Sequence, residues 1–354
     1  MTEVFKYFLK LGATGFGGPL ALVAQMQIDL VKTKKWISDK EFLNTVALIK
    51  AMPGPLAFQT GVFLGLRKAG FAGALLAAVG LVLPSFLIML VLAYFHESLV
   101  ASPYIKTFIQ GMQIATVAVI LVSINSLALP MIKDSLFWLS ALMAITLRIF
   151  GGVSEIWIVL CAAVLGFMFY LIPKSRNSLQ SVGIVELTLI CLKAGAFVFG
   201  TGLAIVPFLQ TDLVTGTFAL SRNDFLDAVT FGQLTPGPVV ITVTFIGYKI
   251  AGFAGALAAT IAIFLPSFIN MTTWFPKAQK YLTGKSWMEL ISKSVLGSIV
   301  GVLLLIVVSM TVEYNYAKMA LVFVMMMLIL YKNIPSWLMI LAGGLISLVI
   351  SVLN

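Results

Sequence analysis

Charge is scarce in this chain. Of its 354 residues only 10% are charged, with 13 acidic side chains against 23 basic ones. Soluble domains carry roughly 25%, so an ordinary water-soluble protein is excluded. Histidine and cysteine are nearly absent too: His96, Cys161 and Cys191 are the whole supply. That excludes a His/Cys metal centre and a disulfide framework, and the two cysteines, both in apolar runs, are expected as small core residues. His96 is expected in a polar loop, outside any chemistry. No Walker A loop, HExxH or GxSxG motif occurs, so the machinery of an ATPase, metalloprotease or hydrolase is missing. The chain reads as a non-enzyme with no metal and no cofactor.

What it does have is apolar sequence, 60% of all residues. At about 20 residues per crossing this suffices for on the order of ten membrane-spanning helices. The basic excess then has a topological meaning, as cytoplasmic loops are rich in Lys and Arg, and nucleic acid is not the expected partner.

An internal repeat sets the architecture. Leu9-Lys10-x-Gly12-Ala13-x-x-Phe16-Gly17 recurs 183 residues later as Leu192-Lys193-x-Gly195-Ala196-x-x-Phe199-Gly200, and Pro53-Gly54-Pro55 recurs as Pro236-Gly237-Pro238. At an offset of 182, AGFAGAL at Ala69–Leu75 returns unchanged at Ala251–Leu257, and Leu83-Pro84-Ser85-Phe86 returns as Leu265-Pro266-Ser267-Phe268. The organisation predicted is a first transporter repeat over 1–172, a polar linker over 173–183 and a second repeat over 184–354. Each repeat holds about six apolar segments without period-two alternation, so the fold class is an all-α polytopic membrane protein.

Equivalent loops carry opposite charge bias. Lys32, Lys34, Lys35 and Lys40 follow the first segment, where the second half has only Arg222; Lys277, Lys280 and Lys285 stand where the first half has Lys106. This predicts inverted-topology repeats. Inversion needs an odd number of crossings per half, so the second segment, interrupted by Pro-Gly-Pro, is expected to be re-entrant while the first crosses.

Helix breaks at membrane depth survive only when buried in protein or lining a cavity, and paired breaks in two halves point to a transport site. The candidate substrate-binding residues are therefore Phe16, Gly17 and Gly18 with Pro53, Gly54, Pro55 and Gln59, then Phe199, Gly200 and Thr201 with Gln233, Thr235, Pro236, Gly237 and Pro238. Half-helices starting at such breaks direct free N–H groups and a positive dipole end at the ligand, which suits an anion. Lys10, Lys50 and Lys193 near the breaks have the same sign. Asp29, Asp212 and Asp227 are candidates for proton coupling.

These motifs, FGGP at 16–19, Trp36, the two Pro-Gly-Pro triplets, Gly65 through Gly73, Pro207-Phe208 and the paired LPSF, resemble the chromate transporter (CHR) family in its two-domain, long-chain form. The resemblance covers essentially the whole chain. It implies a multi-pass protein of the cytoplasmic (inner) membrane that extrudes chromate by secondary active transport, conferring resistance, with protons as the coupling ion. Sulfate, the isosteric dianion, is the natural competitor; another anion substrate and a passive channel stay open, as does a homodimer. The chain departs from the family pattern at Leu22, Lys50 and Thr201.

Overall fold

The computed structural model describes residues 1–50, 52–151, 158, 183–197, 205–210, 213, 218, 220–282, 286–312, 314–332 and 334–353. All regular elements among them are helices. They are α1 (Thr2–Thr14), α2 (Gly18–Met26, continued by a π-helical turn over Gln27–Thr33), α3 (Asp39–Lys50), α4 (Leu56–Val100), α5 (Pro103–Ala128), α6 (Ser135–Gly151), α7 (Ile184–Phe197), α8 (Ile205–Leu209), α9 (Arg222–Leu234), α10 (Thr242–Thr272), α11 (Phe275–Leu282), α12 (Ser286–Thr311), α13 (Tyr316–Lys332) and α14 (Ser336–Leu353).

The first segment is a hairpin. Gly15–Gly17 reverse the chain, with Gly17 at φ +102°, and Pro19 sits in the first turn of α2, where its missing N–H costs nothing. The reversal brings Lys34 Nζ to 2.7 Å from Glu3 Oε1 and lets the Tyr7 hydroxyl donate to Asp29 Oδ2 at 3.1 Å. Both ends of the segment therefore lie together, whereas the sequence reading had it cross. Two consecutive glycines of positive φ turn a kink into a full reversal.

The second segment folds back as well. Glu41, in the first turn of α3, pairs with Arg67 near the far end of residues 56–68, so Pro53–Pro55 is the tip of a second hairpin with both ends on one side. Residues 56–68 then meet 71–100 through a tight turn, Ala69 (φ −145°) and Gly70 (φ +62°). Close approach is what requires the glycines beside it: a Cβ on Gly73 would lie 2.2 Å from the Gly65 carbonyl oxygen. Ala251 (φ −145°) and Gly252 (φ +59°) repeat the geometry in α10, and Gly255 meets Gly247 at the same 2.2 Å. Identical AGFAGAL sequences thus make identical turns.

In the second half, Asp224 and Lys249 occupy the positions of Glu41 and Arg67 and are 3.5 Å apart, closing the α9–α10 hairpin the same way. Lys249 also pairs with Glu97 at 3.1 Å, which sets this hairpin's open end beside the far end of residues 71–100. The open end of the first hairpin lies instead against α11, where Gln279 donates to Thr45 at 2.7 Å. Each half's hairpin thus meets the other half at its open end, the second against the far end of α4 and the first against α11.

Around this centre the remaining helices pack through small residues: Gly111 of α5 against Gly343 of α14, and Gly297 and Gly301 of α12 against the Phe137 and Ala141 carbonyls of α6. Large apolar side chains such as Phe71, Leu139, Leu142 and Phe323 are more than half exposed, the pattern of a lipid-facing surface. Among the described residues, five helical stretches are long and apolar enough to cross a membrane. Cys191 is fully buried, in line with a core residue, and Cys161 lies outside the described residues.

Candidate functional site

Each Pro-Gly-Pro tip has a central glycine at which any side chain would be strained. Gly54 (φ +132°) and Gly237 (φ +99°) lie in the left-handed half of backbone space. A Cβ on Gly54 would sit 2.3 Å from Ser267 Oγ, and one on Gly237 would sit 2.3 Å from Ser85 Oγ. Ser85 and Ser267 are the paired LPSF serines, so each tip presses on the middle of the other half's long helix. Ser85 donates to the Pro236 carbonyl at 2.6 Å, a buried bond spanning 151 residues of sequence.

The glycine break of the first half joins the second tip directly. Gly237 N–H donates to the Gly15 carbonyl at 3.0 Å. Between them lies a cavity of about 180 Å³, lined by Gly15–Leu20, by Ser123 and Ser126 of α5, by Gln233, Thr235 and Gly237, and by Trp337 of α14. Hydroxyl groups here are mostly spent on helix carbonyls: Ser123 on Val119, Ser126 on Ser123, Thr235 on Phe231. Gln233 differs, since its Nε2 is buried without a partner. A buried N–H donor that meets no acceptor loses roughly 1–3 kcal/mol, so this one is placed to gain from an incoming acceptor. The start of α2 at Gly18 adds backbone N–H groups and the positive end of a helix dipole. None of the described lining residues carries a formal charge.

A second space of about 820 Å³ lies between α1 and α2, walled by Lys6, Lys10 and Lys34 with Glu3, Tyr7 and Asp29. It shares Gly15 and Phe16 with the smaller cavity. Phe16 stacks on Trp337 with ring centroids 5.3 Å apart. An aromatic pair therefore stands between a wide cationic crevice and a small neutral cavity.

Of the residues singled out from sequence, Phe16, Gly17, Gly18, Gln233, Thr235 and Gly237 meet at this cavity, framed by Pro236 and Pro238. Pro53, Gly54, Pro55 and Gln59 form the corresponding first tip, where Gln59 Nε2 donates to the Pro53 carbonyl at 2.6 Å and its buried Oε1 has no partner. Lys10 lies on the crevice wall. Lys50 and Lys193 are exposed on α3 and α7 and line neither space. Phe199, Gly200, Thr201 and Asp212 fall outside the described residues. Asp29 accepts from Tyr7 and Gln25.

Asp227 is buried and bound by His96 Nε2 at 2.8 Å and Gln113 Nε2 at 2.7 Å. His96 is thus not in a loop: helix α4 runs on through Glu97 to Val100 and carries it inside. Reading His-Glu-Ser as a polar interruption missed this, although the apolar run on both sides was the signal. Ser85 was likewise marked by its repeat in LPSF. Trp337 carries no sequence signal.

Comparison with known proteins places these observations in a lineage. A family model described as chromate transporter matches residues 2–167 and again 185–348. A chromate transport protein of Cupriavidus metallidurans is 33% identical, over 99% of this chain and 93% of its own. A transporter of Methanocaldococcus jannaschii is 30% identical over 96% of this chain and 92% of its own. A chromate transport protein of Pseudomonas aeruginosa is 29% identical over 80% and 74%. No solved structure matches the chain.

Proposed function

Because the chain belongs to the chromate transporter family, we propose that this multi-pass membrane anion transporter moves chromate out of the cell across the cytoplasmic membrane, by secondary active transport coupled to protons. The observation that carries the reading is the cavity between the Gly15–Gly18 and Pro236–Gly237 tips, where an unpartnered amide donor and the amino-terminal end of α2 meet without a carboxylate among the described lining residues. Such a lining receives an anion and repels none.

The substrate site comprises Phe16, Gly17, Gly18, Gln233, Thr235 and Gly237, with Pro53, Gly54, Pro55 and Gln59 as the counterpart tip. Lys10 supplies attraction from the crevice, and Lys50 and Lys193 add long-range potential. The halves, 1–172 and 184–354 joined by 173–183, are inverted with respect to one another; since the first half opens with two hairpins rather than one, an odd number of crossings then requires a third segment of its six to return to its own side. Supporting this, the Glu41–Arg67 and Asp224–Lys249 clasps lie against opposite ends of the long helices. The crevice opens at the end holding Lys34 and Lys68, whose ammonium groups face Trp36, and the positive-inside rule makes that end cytoplasmic. Rocking of the two halves parts Phe16 from Trp337 to admit the anion from the crevice, and with the pair closed, as it stands here, opens the cavity outward.

Purified protein in liposomes with an imposed pH gradient tests this. Chromate is expected to accumulate against its own gradient, with sulfate competing more weakly. Flux that only equilibrates chromate makes the protein a channel, and preferential accumulation of sulfate reassigns the substrate.

A further inference from the structure

His96 and Asp227 join the two halves at a point no substrate argument uses. His96 lies near the end of residues 71–100, Asp227 one turn into α9, and each is only 4% exposed. An ionised carboxylate only accepts hydrogen bonds, so with Asp227 ionised the 2.8 Å contact takes an Nε2–H, and a neutral imidazole then carries its proton there. Nδ1 is then a bare acceptor, and it is buried with no hydrogen-bond partner. Its nearest charged neighbour is Asp224 Oδ1 at 3.6 Å. The other groups facing the pair are Gln113 of α5, Lys249 of α10, which contacts Asp224 and Glu97, and the rings of Phe231 and Phe245. Glu97 is 87% exposed at its side chain, so polar groups run from the surface to Nδ1.

They also run inward. Thr230 follows Asp227 on α9 and meets Thr116, which follows Gln113 on α5 in the same register, at 3.3 Å. Gln233 of the cavity comes three residues after Thr230, about 9 Å along the helix from Asp227 at 1.5 Å per residue. The repeat does not duplicate the pair: at the established offsets, Ala278 stands for His96 and Asn44 for Asp227.

We propose that His96 and Asp227 form a single proton-binding site at the seam between the halves, filled from the end of the protein opposite the lysine-lined crevice. One proton from bulk water adds to His96 Nδ1, converting a neutral imidazole beside a carboxylate into an imidazolium–carboxylate pair, with Nδ1–H directed at Asp224. No other bond changes. The same proton leaves when the halves rock, so its binding favours one of their two arrangements. With the anion crevice at the cytoplasmic end, the site takes protons from outside, which is the geometry of exchange of an inward proton for an outward anion.

This rests on the anion-transport reading, and the experiment separates the two. Wild type, His96→Gln and Asp227→Asn are reconstituted in liposomes, and two rates are read with labelled chromate: exchange across the membrane at equal pH, and accumulation driven by a pH gradient. Both variants are expected to keep exchange within about twofold of wild type, with accumulation reduced at least tenfold and the pH dependence of exchange flattened. A variant that accumulates chromate with the wild-type pH profile overturns the site. So does loss of exchange together with accumulation, which makes the pair structural. A wild type that exchanges without accumulating refutes proton coupling while transport stands; one that does neither removes the transport reading as well.

Discussion

Replacing Gly237 by alanine tests whether the two halves are locked together through their hairpin tips. At φ +99° an alanine is strained by about 1–3 kcal/mol. Its Cβ would also arrive 2.3 Å from Ser85 Oγ and push that hydroxyl off the Pro236 carbonyl. Both groups are buried, so the lost bond adds about 1–3 kcal/mol. The expected destabilisation of the tip is about 2–6 kcal/mol, and because Gly237 N–H holds Gly15 at the cavity wall, chromate transport should fall more than tenfold. Ser85→Ala alone loses only the hydrogen bond. In the double variant the hydroxyl is no longer in the way, so its cost falls below the sum of the singles by about 1 kcal/mol or more. Apparent melting temperature in detergent and initial transport rate report both quantities. Strict additivity, or a Gly237→Ala protein with wild-type melting and flux, would refute the interlocked-tip reasoning.

Gln233→Leu keeps the shape of the cavity wall and deletes its unpartnered donor; a hydrogen bond to an anion is worth about 1.5–3 kcal/mol, so the apparent affinity for chromate should weaken about ten- to a hundredfold while the melting temperature of the free protein rises, since the buried unsatisfied donor is gone. Lys10→Gln, on the exposed crevice wall, should raise apparent KM by about threefold at low ionic strength and by nothing measurable at 1 M salt, where the Debye length is about 3 Å. Single cysteines at positions 41, 67, 224 and 249, placed in protein lacking its two native ones, should split on labelling with a membrane-impermeant thiol reagent: 41 with 67 from one face, 224 with 249 from the other. Labelling of all four from one face would contradict the inverted arrangement.

How far the sequence reached depended on whether a feature was repeated. The breaks at FGGP and Pro-Gly-Pro, the tight AGFAGAL turns and the cavity residues Gly17, Gln233 and Gly237 were readable because a helix cannot pass a Pro-Gly-Pro, and because the second copy gave the same message. Whether a break bends the chain or reverses it was not readable. Gly15–Gly17 reverse it because of tertiary partners, Glu3 with Lys34 and Tyr7 with Asp29, that lie up to 31 residues apart and leave no local pattern. His96 was misplaced for a related reason: a buried histidine looks like a loop residue until the carboxylate that makes burial tolerable is seen, and Asp227 lies 131 residues away. Trp337 sits in an apolar run where any aromatic would read alike, and only the stack on Phe16 distinguishes it.

Under the carrier function proposed above, the placement of the lysines has a physical reason in what must happen after binding. A lysine inside a cavity of low dielectric would hold a dianion with an attraction several times that at the surface, about 4 kcal/mol per charge pair at 4 Å when the effective dielectric constant is 20, and release would slow accordingly. Passage requires binding strong enough to enter and weak enough to leave. Here Lys6 and Lys10 stand on the crevice, where water screens them, beside Lys34 paired with Glu3, while the cavity beyond Phe16 offers the start of α2 at Gly18 and the Gln233 amide. Position 233 itself makes the point, since at the repeat offset its counterpart is Lys50, which is exposed. In the proposed transport cycle, attraction then falls to charge at the mouth and recognition to neutral donors at the tips, so an anion drawn in by the first can still be released by the second.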